Sequence, residues 1–237
     1  MTGDAVPSRR DVVIGLSSLV CLSLGHSRPV GAAIDARTVD PMALKLVDWL
    51  NLGVTDRGHF ISGFSVGWYR DIDPESEDLV RGKHDKLLDA IDLQLTKLAN
   101  QPLTAHVPLA AALSRAALIG WLPPFEMLGK EWKKLQMRHR ILTLRALVTG
   151  AHSAAIWHAL GEPNDSDTLA RALANPRRVV RSPLPLNPNL MLTRLLDFYA
   201  DEDSLTTPLA HAVLAVDQRT IGSAGKADPT EQASPDG

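Results

Sequence analysis

The sequence predicts an all-α fold, an irregular helical bundle around one long helix at about residues 124–160. Three observations carry this expectation. Prolines and Asp-Pro pairs fall where helices start or stop, at Asp40-Pro41, Asp73-Pro74, Pro108, Pro123-Pro124, Pro188 and Pro208. Between them apolar residues recur at helical spacing. From residue 40 to 221, His59-Phe60-Ile61 is almost the only stretch that reads as a strand.

Taken in order, Asp40 is an N-cap with Pro41 at the first helical position, and Leu44, Val47 and Leu50 form the apolar face of a short helix that stops at Gly53. In residues 54–72, Phe60, Phe64 and Trp68 fit a helix at i, i+4, i+8 and equally fit a strand; the helix is the expectation. Asp73-Pro74 opens a further helix reaching about Ala99, with Leu87, Leu88, Ile91, Leu95 and Leu98 as its stripe. Pro108 opens an Ala-rich helix, packed on most sides, that ends before Pro123.

No proline interrupts residues 125–160, where Leu128, Trp132, Leu135, His139, Leu142, Ala146, Trp157 and Leu160 share one helical face. One long helix is expected, with Gly150 the place for a bend and its second half the buried axis of the domain. Ser166 caps a short helix to Ala174, residues 176–188 cross irregularly, and helices start again at Pro188 and Pro208. Residues 222–237 are small, polar and aperiodic, the composition of a disordered tail.

With 45% apolar and 22% charged residues, the 237-residue chain has ordinary globular composition, and one helical domain at 34–221 is expected. A net charge of −2 gives no sign of a nucleic-acid binder. The lone cysteine is Cys21.

Residues 1–33 divide into a polar start with Arg9 and Arg10, an apolar run from Val12 to Gly25, and the small-residue stretch Val30-Gly31-Ala32-Ala33. Those are the three regions of a signal peptide, and the apolar run is too short for the ~20 residues of a membrane-spanning helix. Ser8-Arg9-Arg10-Asp11-Val12-Val13 resembles the twin-arginine (Tat) signal, with Val12 and Val13 where Phe and Leu are usual. The resemblance covers residues 8–33 and implies export of a prefolded protein to the periplasm or beyond, without a transmembrane anchor in the mature form. Cleavage after Ala32 or Ala33 then removes Cys21, leaving a body without thiol, disulfide or cysteine-held cofactor, and no cofactor is expected.

Few motifs carry chemistry. Gly63-Phe64-Ser65-Val66-Gly67 matches the G-x-S-x-G elbow that resembles α/β-hydrolases, which implies Ser65 as nucleophile, Asp197 or Asp201 as the acid and His211 as the base. The competing account is a close helix crossing permitted by Gly63 and Gly67. Of eight histidines, His139 lies mid-stripe on the long helix and is read as a hydrogen-bonded core residue, since no carboxylate or second histidine shares its face. Asp85, Asp89 and Asp92 read as a solvated, internally paired face, and no metal site is expected.

The function expected is an exported helical binding module or accessory subunit; the alternative is a serine hydrolase using Ser65. A cytoplasmic regulator is the third reading. A partner would bind the basic face of the long helix, Lys130, Lys133, Lys134, Arg138 and Arg140, offset within that run only by Glu131. The ligands that face fits are an acidic protein surface or anionic lipid.

Overall fold

The computed structural model describes residues 40–224, apart from residues 74, 83, 163–165 and 175–187. Among them the fold is all-α, with no strand and three isolated β-bridges that tie loops together. The leader, the crossing segment and residues 225–237 lie outside the described residues.

The expected first helix is interrupted. Asp40 Oδ1 accepts from Met42 N at 3.0 Å and caps a 3₁₀ turn, Pro41–Ala43. The chain then extends to pair Lys45 with Pro108 before α1, Leu46–Trp49. Helix α2 (Val54–Trp68) takes the segment that equally fitted a strand. Helix α3 (Asp85–Ala99) begins later than Asp73-Pro74 implied, because Asp73 folds a local turn and Val80 is drawn into a bridge with Phe125. Helix α4 (Leu109–Leu118) is buried along nearly its whole length, as its alanine content requires.

The long helix expected at about 124–160 is two helices, α5 (Gly129–Lys134) and α6 (Met137–Ala159). Residues 124–128 are not helical because their backbone is spent on neighbours: Val80 N donates to Pro124 O and Leu209 N donates to Met127 O. Between α5 and α6, Leu135 and Gln136 are extended, with ψ of 148° and 151°. Arg140 holds this elbow. It donates through Nε to Leu135 O at 2.9 Å and through a guanidinium nitrogen to Lys133 O, satisfying carbonyls that the break releases. Trp132, beneath the Arg140 guanidinium, is thereby turned into a fully buried contact with Tyr199.

The remaining helices are α7 (Ser166–Ala174), α8 (Pro188–Phe198) and α9 (Leu209–Ala224), with a 3₁₀ turn, Asp203–Thr206, before the last. Helix α9 runs past the boundary expected at 221.

The architecture rests on α2 against α6, the most extensive helix pair of the fold. Matching contacts rise together along both helices, His59 with His139, Gly63 with Thr143, Gly67 with Leu147, so the two run parallel. A Cβ at Gly63, Gly67 or Gly150 would overlap a carbonyl oxygen of the facing helix. Glycine is therefore what lets these backbones touch. Helix α4 packs on both members of the pair, α3 lies on α1 and α2, and α8 rests on α6 with α9 beside it.

Candidate functional site

Because α2 and α6 are parallel, their first turns lie at one end of the bundle. Asp56 and His59, three apart on α2, meet Arg138 and His139 of α6. The Asp56 side chain is only 7% exposed; its Oδ2 takes an ion pair from Arg138 and its Oδ1 lies 3.3 Å from His139 Nε2. The His59 and His139 rings stand 4.4 Å apart between centroids. Burial first, then the facing His139 imidazole, push His59 down to about 4 against the pull of Asp56, so its ring is neutral near pH 7. Two parallel helix N-termini concentrate partial positive charge here, and Asp56, in the first turn of α2, is the carboxylate that answers it.

His139 therefore has the carboxylate and second histidine that its own face lacked. The signal for them in the sequence was the i, i+3 pair Asp56 and His59, which a helix through residues 54–68 places on one side. The cluster can hold a buried carboxylate between a guanidinium and an imidazole. Among the described residues no three His, Cys, Asp or Glu side chains are grouped so as to hold a metal.

The five cations of the expected partner face do not share one helix, since the elbow at Leu135-Gln136 divides them. Arg140 is committed to carbonyls of the elbow and Arg138 to Asp56. Lys133 is exposed but donates to Tyr199 O at 3.1 Å. Lys130 and Lys134 are exposed on α5, and among the described residues neither forms an ion pair. Glu131, the one carboxylate in the run, accepts from Leu128 N at 2.9 Å as the cap of α5. The bend leaves Met137 exposed at its apex.

Ser65 sits inside α2 and is fully buried, not at a strand-to-helix turn. Its hydroxyl donates to Pro123 O at 2.6 Å and accepts from Phe125 N at 2.9 Å, so both of its capacities hold the loop after α4. The glycines of the five-residue pattern serve the helix crossing. His211 borders a small open cleft with Tyr69, Arg70, Glu126 and Met127. Asp197 and Asp201 are both exposed, and Asp201 Oδ1 accepts from Asp203 N. Of the acidic set on α3, Asp85 and Asp89 are exposed, while Asp92 is a structural hub that accepts from Trp49 Nε1 at 2.8 Å and pairs with Arg57 at 3.0 Å.

No protein-family model, curated protein or solved structure matches the chain.

Proposed function

We propose that this protein is an exported helical binding or accessory protein that docks through the basic elbow of α5 and α6. The observation that carries the reading is the set Lys130, Lys133 and Lys134, exposed together on one short helix of a chain whose net charge is negative. Export is supported by the order of charge, apolar run and small residues in the leader and by its resemblance to a twin-arginine signal. A binding role accords with Ser65, whose hydroxyl is sealed in the core.

The test is capture of the native protein from its envelope at low ionic strength, compared with Lys130→Glu/Lys134→Glu. The variant should lose what co-purifies and keep its thermal midpoint. Retention of the same partners would move the binding surface elsewhere. N-terminal sequencing of the native protein should begin at Ala33 or Ile34; an intact Met1 or Thr2 would remove export. Conversion of Arg9 and Arg10 to Lys distinguishes the two export routes, since only a twin-arginine signal depends on the arginines themselves.

A further inference from the structure

We infer that the basic elbow is built for an anionic lipid surface, with Met137 entering the head-group layer; this rests on the docking role proposed above. Three features of the elbow favour lipid over an acidic protein. The first is which cations remain available. A carboxylate on a protein is recognised with geometric specificity by the planar, forked guanidinium. Here Arg140 is turned inward to the elbow carbonyls, Arg138 is shared with Asp56 and Lys133 with Tyr199 O, which leaves the ammonium groups of Lys130 and Lys134 as the outward charge without an ion-pair partner among the described residues. Lysines act as hydrated point charges without a required approach angle, which suits a laterally mobile array of phosphates.

The second feature is the apolar residue among them. Met137, first residue of α6, is 44% exposed, between exposed Lys134 and Arg138. A flexible thioether flanked by cations can leave water for the acyl boundary while its neighbours stay with the head groups.

The third is the parallel pairing of α2 and α6. It brings Val54, first residue of α2 and 65% exposed, to the same end of the bundle. An exposed apolar side chain thus stands at the start of each of the two helices. Among the described residues no helix is long and apolar enough to cross a membrane, so attachment of this kind is peripheral.

The experiment is co-sedimentation of the purified protein with vesicles of phosphatidylcholine alone and with phosphatidylglycerol added. Binding is expected only to the second, reversed by salt, and weakened about tenfold in Lys130→Glu/Lys134→Glu. Met137→Asp should weaken it several-fold without changing the circular dichroism or the urea midpoint. Lys133 and Arg138 stay in place in these variants because both have internal partners. Absence of vesicle binding, or binding indifferent to Met137→Asp, overturns the lipid assignment. If vesicles fail but Lys130→Glu/Lys134→Glu still loses a protein from the envelope capture, the elbow remains a docking surface and its ligand is that protein. If the double variant changes neither assay, both readings fall.

Discussion

Arg138 reaches across from α6 to neutralise the buried carboxylate of Asp56 on α2, while its own side chain stays 51% exposed. The pair joins positions 82 apart in the chain and lies where two helix N-termini meet. Removing Arg138 leaves a buried carboxylate without its guanidinium partner, beside the imidazoles of His139 and His59. A fully buried pair broken on one side costs about 3–5 kcal/mol, and the solvent access of Arg138 discounts that to about 2 kcal/mol for Arg138→Ala. In Asp56→Ala/Arg138→Ala no orphaned charge remains, so the double variant should be more stable than the sum of the singles by about 1 kcal/mol. Urea unfolding of the four proteins measures the cycle. Additive losses would mean that the pair is not coupled.

His59 gives this end of the bundle a pH dependence of known sign. Folded, its pKa lies near 4, below the ordinary 6.5, because it is buried and faces the His139 ring, with Asp56 opposing. Between those values the unfolded chain binds a proton that the folded chain refuses, so stability falls as pH is lowered from about 6.5 to about 4. His59→Gln removes this contribution. Its urea midpoint should decline less steeply across that window than the parent's; parallel declines in the two proteins would show that His59 titrates normally in the fold.

The α2–α6 crossing allows propensity and packing to be weighed against each other. Gly→Ala inside a helix gains about 1 kcal/mol from propensity alone. At Gly58 a Cβ would meet only Leu88 Cδ1 at 3.9 Å, an ordinary contact, so Gly58→Ala should be stabilising by up to about 1 kcal/mol. At Gly67 and Gly150 the same Cβ would overlap backbone oxygens of Leu147 and Phe64, which cannot swing aside. Gly67→Ala and Gly150→Ala should each cost about 3 kcal/mol or more despite the gain in propensity. Thermal unfolding separates the two classes, and a stabilised Gly67→Ala would refute the parallel close approach.

These cases mark what could be read in advance. Pro188 and Pro208 act on their own neighbours, so these helix starts are visible locally, whereas Gly53, expected as the stop of the first helix, is the N-cap of α2 and α1 already ends at Trp49. Helical periodicity continues through Leu135 and Gln136 without Pro or Gly, which is why one long helix was the natural expectation. The break is held by Arg140 reaching back to Leu135 O and Lys133 O, side-chain-to-backbone bonds that periodicity does not register. The site was legible only in halves. Asp56 with His59, and Arg138 with His139, each stood on one helix, but their meeting depends on the parallel register that residues 69–136 impose. The cations of the elbow are visible in the sequence as residues; which of them turn inward depends on the bend.

Ser65 carries the last prediction, because its role decides how the five-residue pattern around it is to be read. Its hydroxyl is fully buried in α2, donating to Pro123 O and accepting from Phe125 N, and so fixes the loop that follows α4. Ser65→Ala leaves the Phe125 N–H and the Pro123 carbonyl without that partner inside the core. Each orphaned group costs about 1–3 kcal/mol, less whatever local shift recovers, so a net loss of about 2 kcal/mol is expected in urea unfolding. A nucleophile would behave otherwise: its alanine variant would lose activity with little loss of stability, and the parent would react with a fluorophosphonate. The folded parent should not be labelled at Ser65, since no path from solvent reaches the oxygen. Stoichiometric labelling of Ser65 below the unfolding transition, identified by peptide mass, would place the hydroxyl at a reachable surface and restore the hydrolase reading.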